Sequence, residues 1–216
     1  MNNYKFGYNK FCDSNNPEPG NAPPKLNKEF LDPSMFNQPE YCEQSANRIY
    51  FYSEVNNSTI LTLNKTLRDL SNSIYADVII RNIKGLNIYL HINSPGGTAT
   101  DGFSAMDEIN SSIVDIYTIV DGYCASAATL LSMVGKKRLI KPNSFMLIHQ
   151  LSGWHYGNYS QLTDEYINST LLMKKIKKAY EEHTKIPKKT LNKILKRDLY
   201  FDAKTCLKYG LVDEII

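Results

Sequence analysis

The chain of 216 residues has few of the features that mark secreted, membrane-spanning or metal-binding proteins. Its four cysteines lack the paired spacing of a zinc site and do not suggest a disulfide framework. No apolar run approaches the roughly 20 residues of a membrane-spanning helix, and the first residues lack the apolar stretch of a secretory signal. We therefore expect a cytoplasmic protein that holds no metal ion.

The chain also has only a small excess of positive over negative charge. The 25 Lys and Arg residues against 22 Asp and Glu residues leave a formal net charge of +3, which is too small to indicate a nucleic acid or a membrane surface as a partner. The sequence has no Gly-x-x-x-x-Gly-Lys run that would cradle nucleotide phosphates. The hydrophobic fraction of 42% is typical of a globular protein, and we expect no resident cofactor.

Residues 1–46 differ in composition from the rest of the chain. They carry Asn, Pro and Gly with scattered aromatic residues, and they show neither a helical nor a strand period. This composition is typical of a segment that does not form regular structure. We predict a flexible N-terminal extension or pro-segment here, followed by one domain over residues 47–216.

Short β-branched or apolar runs alternate with segments whose apolar residues recur at helical spacing in the rest of the chain. Strands are predicted at residues 48–52, 86–92, 116–120, 138–140, 145–148 and 210–215. Helices are predicted at residues 59–79, 101–113, 126–134 and 160–182, with a short one after Pro187. This alternation indicates an α/β fold with a largely parallel sheet.

Ser126 stands where a chain can expose and orient a nucleophile. It follows a β-branched strand and a turn at Gly122, and an Ala- and Leu-rich run follows it. A serine hydroxyl attacks poorly unless it is oriented and deprotonated, and the start of a helix adds backbone N–H groups and a positive dipole end. Small residues at a turn more often serve packing. The prediction therefore depends on three companion segments, residues 93–97, 148–150 and 196–198.

Six segments occur in the order found in the proteolytic subunit of the Clp protease (ClpP), and residues 47–216 resemble this family. The segments are residues 92–97 (INSPGG), 122–126 (GYCAS), 142–144 (PNS), 146–150 (MLIHQ), 197–198 (RD) and 209–213 (YGLVD). Several motifs in one order are more specific than any one of them. The resemblance implies the ClpP/crotonase-like fold of repeated β-β-α units, with a protruding handle helix after Ser160.

The resemblance also implies roles for individual residues. Ser126 would be the nucleophile, His149 the general base and acid, and Asp198 the carboxylate that orients the imidazole. Gly97 and Ala127 would donate backbone N–H groups to an oxyanion. The residue types suit this chemistry, because histidine titrates near neutral pH, a carboxylate fixes its tautomer, and glycine allows close backbone approach.

Two other acids, Asp164 and Asp202, stay open as alternatives to Asp198 on sequence alone. The chain also departs from the family pattern after the His-Gln pair, where Leu151 stands in place of the usual proline. Lys196 stands where an acidic residue commonly precedes the Arg-Asp pair. These differences indicate a divergent member of the family.

The resemblance implies an ATP-dependent Clp-type serine endopeptidase subunit that acts on peptides or unfolded proteins. Members of the family form homo-oligomers, in which stacked seven-membered rings enclose the active sites, and a separate AAA+ ATPase unfolds the substrates. The docking surface for that ATPase is rich in aromatic residues in the family. Tyr89 keeps one such position, and His91 stands at a second.

Two other functions stay open at this stage. The first is a non-catalytic ClpP-like ring subunit or scaffold, although a scaffold has no need of serine, histidine and aspartate together. The second is an acyl-CoA enzyme on the related crotonase fold, which stabilises a thioester enolate with similar backbone donors. That chemistry needs no serine–histidine pair, and we assign no basic residues here to coenzyme A.

Overall fold

A mixed sheet of eight strands runs through residues 41–82 and 85–216, the residues that this computed structural model describes. The strands are β1 (Tyr41–Ser45), β2 (Arg48–Tyr52), β3 (Ile88–Ser94), β4 (Ile116–Ala125), β5 (Lys137–Ile140), β6 (Phe145–Leu147), β7 (Tyr200–Asp202) and β8 (Glu214–Ile215). The helices are α1 (Asn57–Arg81), α2 (Ala99–Ser111), α3 (Ala128–Ser132), α4 (Tyr159–His183), α5 (Lys188–Ile194) and α6 (Ala203–Tyr209).

The main path of the sheet has the spatial order β1-β2-β3-β4-β5-β8. β1 is antiparallel to β2, and every later pair on this path is parallel. The long strand β4 pairs with β5 near its start and with β6 near its end, and β7 is antiparallel to β6. Helices alternate with these strands, so the predicted α/β fold with a largely parallel sheet is confirmed.

The core lies around the central strands of this sheet. Ile88, Leu90 and Ile92 of β3 are fully buried, as expected for an apolar run in the middle of a parallel sheet. Helix α1 contributes one apolar stripe, whose buried members are Ile60, Leu63, Leu67, Leu70 and Ile74. Burial of each such side chain favours folding by about 1.5–3 kcal/mol.

The observed elements differ from the predicted ones mainly at their ends. β4 extends to Ala125 instead of ending at Val120, because Gly122 adopts a φ of 99° and lets the strand bend and continue. The following helix begins at Ala128 rather than at Ser126. The predicted terminal strand is limited to β8, because Gly210 ends α6 with a left-handed backbone.

Three elements, β1, β7 and α6, are absent from the sequence prediction. β1 lies within residues 1–46, where the composition predicts no strand, and that prediction is wrong at Tyr41–Ser45, which pair with β2. β7 and α6 are short and carry no clear period, so pattern analysis misses them. Residues 1–40 lie outside the described part of the chain, so the extension or pro-segment stays a prediction there.

Helix α4 has two halves with different surroundings. Its C-terminal half buries Ile176, Ala179 and Tyr180. Its N-terminal half exposes apolar side chains instead, with Tyr166 74% and Leu171 59% exposed. This half corresponds to the handle that the sequence predicts. Neither α4 nor any other helix in the described residues is apolar enough over a sufficient length to cross a membrane.

Arg138 of β5 ties three segments together. Its guanidinium donates to the backbone oxygens of His183 (2.5 Å) and Gly210 (3.0 Å), and it forms an ion pair with the Asp213 carboxylate. The end of α4, the end of α6 and the turn before β8 therefore share one cation. The hydrogen bonds from Arg138 hold the pKa of Asp213 below its ordinary value.

We expect Arg138→Met to lower the free energy of unfolding by roughly 1–3 kcal/mol near neutral pH, because two carbonyl oxygens and a carboxylate lose their partner. A carboxyl group with a depressed pKa contributes stability above about pH 4, and this contribution is lost as the pH falls further. Urea unfolding of both proteins should therefore show a difference that narrows below about pH 4.

Lys137→Met is the matched control for this prediction. Lys137 is the preceding residue of β5 and pairs with Glu214 (2.5 Å), but both side chains are largely exposed. Its substitution should leave the urea midpoint nearly unchanged. An equal loss of stability in the two variants would contradict the role assigned to Arg138.

Candidate active site

Ser126 lies at the junction between β4 and α3, in a backbone conformation that serine rarely adopts. Its φ is 52°, in the left-handed region, which costs an L-residue about 1–2 kcal/mol. Its N–H donates to the Leu147 carbonyl oxygen at the end of β6 (2.8 Å). The hydrogen bonding between β4 and β6 thus continues to Ser126. The left-handed backbone there directs the side chain away from the strand.

The loop after β3 lies directly against this turn and has room only for glycines. A Cβ on Gly96 would lie 2.5 Å from the Ala125 carbonyl oxygen and 2.6 Å from the Ser126 Cβ. A Cβ on Gly97 would lie 2.2 Å from the Val55 carbonyl oxygen. Both glycines also have positive φ values, 92° and 146°. These positions require glycine because of both space and backbone conformation.

Two backbone N–H groups near Ser126 are left without an acceptor. Within the described residues, neither the Gly97 N–H nor the Ala127 N–H donates a hydrogen bond to the protein. Both residues line the same cleft as Ser126. Unpaired N–H groups beside a nucleophile can stabilise negative charge on the oxygen of a carbonyl under attack. The structure therefore brings both predicted oxyanion donors to the serine.

His149 follows β6 and connects the serine to a carboxylate. Its Nε2 lies 2.7 Å from the Ser126 Oγ, and its Nδ1 lies 3.1 Å from Oδ1 of Asp198. With the Nδ1–H directed at the carboxylate, Nε2 accepts the hydrogen of the Ser126 hydroxyl. The three predicted residues thus lie in a row, with a hydrogen bond between Ser126 and His149 and an ion-pair contact between His149 and Asp198. This arrangement allows a histidine to deprotonate a serine.

The geometry distinguishes Asp198 from the two other acids. Asp202 caps α6, where its carboxylate accepts a hydrogen bond from the Thr205 N–H (2.8 Å). Asp164 lies in α4 and, among the described residues, forms no ion pair with His149. Asp198 is 78% exposed, whereas His149 is 23% exposed. The carboxylate end of the chain is therefore open to solvent and the serine end is enclosed.

A cleft with an apolar wall opens beside the serine and the histidine. Its apolar lining consists of Ala99, Leu130, Leu151, Ile176 and Tyr180. These side chains come from α2, α3, α4 and the segment after His149. An apolar side chain of a bound peptide could occupy this cleft with its carbonyl carbon close to the Ser126 Oγ.

A second histidine, His91, is also paired with a carboxylate but contacts no nucleophile. Its Nδ1 lies 3.2 Å from Asp121 Oδ2, and its Nε2 lies 2.9 Å from the Arg48 guanidinium. Lys141 neutralises the same carboxylate (2.7 Å). Burial lowers the pKa of His91. Sequence analysis misses this network because its members are far apart in the chain.

Within the described residues, no group of three or more His, Cys, Asp or Glu side chains is placed to hold a metal ion. The buried thiols of Cys124 and Cys206 are poor nucleophiles, because burial raises the pKa of each to about 12. Ser126, by contrast, has a histidine base in hydrogen-bond contact.

Known proteins are similar to this chain in sequence. Residues 43–216 match the profile of the Clp protease family. The chain is 35% identical over 173 residues to the ATP-dependent Clp protease proteolytic subunit of Streptococcus mutans. This match covers 76% of the present chain and 88% of the relative. Proteins of the same name from Lactococcus lactis subsp. cremoris and Oltmannsiellopsis viridis are 33% and 30% identical. These matches cover 87% and 80% of this chain, and 96% and 91% of the relatives.

The chain therefore belongs to the Clp protease family. This membership confirms the resemblance found in the sequence motifs, and the mixed α/β sheet agrees with the fold of the family. It supports the activity of a Clp-type peptidase, and it does not favour an acyl-CoA enzyme or a scaffold.

We expect Gly96→Ala to lower the free energy of unfolding by more than roughly 2 kcal/mol, because the new methyl group would overlap the Ala125 carbonyl and the Ser126 side chain. Any folded protein should also lose the reactivity of Ser126 toward a fluorophosphonate. Urea unfolding and intact-mass detection of the adduct would measure the two effects.

Gly85→Ala provides the matched control. Gly85 also has a positive φ (78°), but a Cβ there would meet nothing within 4 Å. This substitution should cost only backbone strain, about 1 kcal/mol, and leave the adduct intact. If Gly96→Ala behaved like Gly85→Ala in both measurements, the close approach to Ser126 would be unimportant.

Proposed function

We propose that this protein is a serine-type endopeptidase subunit that cleaves peptide bonds through an acyl-enzyme intermediate. The observation that carries the proposal is the contact of His149 with both the Ser126 hydroxyl and the Asp198 carboxylate, beside the unpaired N–H groups of Gly97 and Ala127. Membership of the Clp protease family supports the same conclusion independently. Neither observation favours one of the alternative functions.

In the first step, the Ser126 Oγ attacks the carbonyl carbon of the peptide bond. His149 Nε2 takes the hydroxyl proton, and the carbonyl oxygen becomes an oxyanion. The Gly97 and Ala127 N–H groups then donate to this oxygen. Removing one such donor typically lowers kcat by about 10²–10³-fold in serine peptidases. Asp198 keeps the Nδ1–H in place and stabilises the imidazolium that forms.

In the second half of the reaction, the imidazolium gives its proton to the leaving amine as the C–N bond breaks. The remaining acyl group is bonded to the Ser126 Oγ as an ester. Water then enters, His149 takes a proton from it, and the hydroxide attacks the ester carbonyl. Collapse of this second tetrahedral intermediate releases the carboxylic acid and returns the proton to Ser126.

We also propose that the subunit works in an oligomer with a separate AAA+ ATPase. The relatives are named ATP-dependent proteolytic subunits, and this chain carries no phosphate-cradling motif, so the ATP-dependent step requires another protein. The exposed apolar side chains on the N-terminal half of α4 support association between copies of this chain. The resemblance to the ClpP family implies the form of the assembly, which is stacked rings of seven subunits that enclose the active sites. Unfolded proteins in the cytoplasm would be the substrates.

Ser126→Ala should abolish both peptidase turnover and the covalent adduct with a fluorophosphonate, because it removes the hydroxyl that His149 contacts. The fold should be unchanged, since alanine removes only the hydroxyl. Intact-mass spectrometry of the wild type and the variant, after the same exposure to the reagent, measures the difference directly.

One adduct on the wild type and none on the variant would support the peptidase. Labelling of both proteins would show that the reagent modifies another residue and would refute the assignment of Ser126. A folded and assembled wild type that is never labelled, alone or with an AAA+ ATPase, would favour the scaffold.

Asp198→Asn should lower kcat by roughly 10²–10⁴-fold with little change in KM, because an amide favours the wrong tautomer of His149. Steady-state cleavage of a fluorogenic peptide measures both constants. The matched control is Asp202→Asn, since asparagine caps a helix about as well as aspartate. This control should retain full activity. The opposite ranking of the two variants would mean that Asp198 is not the orienting carboxylate.

A further inference from the structure

Two buried hydroxyl groups connect helix α4 to the backbone of the nucleophile. The Thr129 Oγ1 donates to the carbonyl oxygen of Ser126 (2.6 Å), which also accepts from the Thr129 N–H (3.0 Å). The Tyr180 hydroxyl lies 2.5 Å from the same Thr129 Oγ1. Thr129 has no exposed surface and Tyr180 is 2% exposed. This pair of side chains is thus enclosed in the core, next to the cleft.

The direction of these hydrogen bonds is fixed because each hydroxyl group has only one hydrogen to donate. The threonine hydroxyl has a single hydrogen, and it is used on the Ser126 carbonyl. The Tyr180 hydroxyl must therefore be the donor to Thr129. Because burial raises the pKa of Tyr180, this phenol stays protonated throughout the working pH range. The order of donation is Tyr180 to Thr129, and Thr129 to the Ser126 carbonyl.

The carbonyl that receives these bonds belongs to the same peptide unit as the Ala127 N–H. A peptide unit is planar, and in its trans form the C=O and N–H bonds point in opposite directions. No peptide bond in the described residues is cis. Fixing the Ser126 carbonyl toward Thr129 therefore fixes the Ala127 N–H in the opposite direction, toward the cleft that both residues line.

This peptide unit needs such an anchor. Ser126 has a left-handed backbone (φ 52°), and α3, which follows Ala127, contains only five residues. Rotation of this peptide plane about ψ of Ser126 and φ of Ala127 would turn the Ala127 N–H away from the oxyanion. The carbonyl contacts with Thr129 oppose that rotation. A hydrophobic residue at position 129 would keep the backbone N–H contact to this carbonyl but lose the hydroxyl contact, which is the shorter of the two.

We propose that Thr129 and Tyr180 are positioning residues for the oxyanion donor, and that they act by fixing the peptide plane between Ser126 and Ala127. The inference depends on the proposed peptidase function. Neither side chain touches the reacting atoms: Thr129 holds the plane, and Tyr180 orients the Thr129 hydroxyl from α4. A purely structural role for the same contacts predicts a loss of stability without a selective loss of transition-state binding.

The test compares Thr129→Val, Tyr180→Phe and the double variant with the wild type. Valine and phenylalanine keep the shapes of the side chains and remove the hydroxyls. Three quantities are measured: kcat and KM for a fluorogenic peptide, the inhibition constant of a peptide aldehyde with the same sequence, and the urea midpoint. The aldehyde forms a tetrahedral adduct whose oxyanion uses the same donors, so it reports on the oxyanion site directly.

Thr129→Val should lower kcat and weaken aldehyde inhibition by similar factors, about tenfold or more, with KM within about twofold of the wild type. Tyr180→Phe should show the same pattern with a smaller factor. Thr129→Ser, which restores the hydroxyl, should recover most of the loss. In the double variant no buried hydroxyl lacks a partner, so its urea midpoint should exceed that of Thr129→Val while its kcat stays low.

Thr118→Val is the matched control. Thr118 is also buried and donates to a backbone carbonyl, that of Ser132 (2.7 Å), at the other end of α3. This variant should lose stability and keep both kcat and the inhibition constant. If Thr129→Val did not fold, kcat and the inhibition constant of the double variant and of Tyr180→Phe would be compared with those of the wild type.

Equal kcat and equal aldehyde inhibition in all folded variants would overturn the positioning role. Recovery of kcat together with stability in the double variant would also overturn it, because the contacts would then be only structural. Failure of the peptidase proposal looks different: the wild type itself would not cleave the peptide or react with a fluorophosphonate.

Discussion

The left-handed backbone at Ser126 is the constraint on which the active-site half of this protein depends. It turns the chain sharply at the end of β4, so that the hydroxyl leaves the plane of the sheet and reaches His149. The cost of this conformation must be offset by neighbouring contacts. They come from β6, through the Leu147 carbonyl, from the glycines after β3, and from Thr129.

The length of β4 explains how Ser126, His149 and Asp198 meet. Its first half pairs with β5 and its last residues with β6, on the same side of the strand. The bend at Gly122 separates the two halves. As a result, the segment after β6 carries His149 to the serine, and β7 next to β6 brings the preceding loop, with Asp198, to the histidine. The sheet therefore sets the spacing of all three residues.

The sequence predicts much of this arrangement because its main signals are local. Apolar periodicity is sufficient to predict α1, α4 and the central strands. The order of motifs predicts Ser126, His149 and Asp198, which the structure brings together. The sequence does not decide between Asp198 and Asp202, because that choice depends on the three-dimensional structure, in which the Asp202 carboxylate caps α6. β1 and the Thr129–Tyr180 contact were beyond prediction, because they depend on partners that are distant in sequence. The ends of β4 and β8 were also predicted incorrectly, because the backbone conformations of Gly122 and Gly210 set them.

The exposure of Asp198 has a consequence for how the enzyme would lose activity. Residues 196–199 are all exposed. This loop is anchored at its two ends, by the hydrogen bond from the Gln150 N–H to the Leu195 carbonyl (2.7 Å) and by the pairing of β7 with β6 from Tyr200 onward. Ser126 and His149, by contrast, are attached to the buried sheet. Segments with few buried contacts open at a free energy well below that of global unfolding. Mild heating or denaturant would thus release the carboxylate in a local opening, and turnover would decline before the sheet melts.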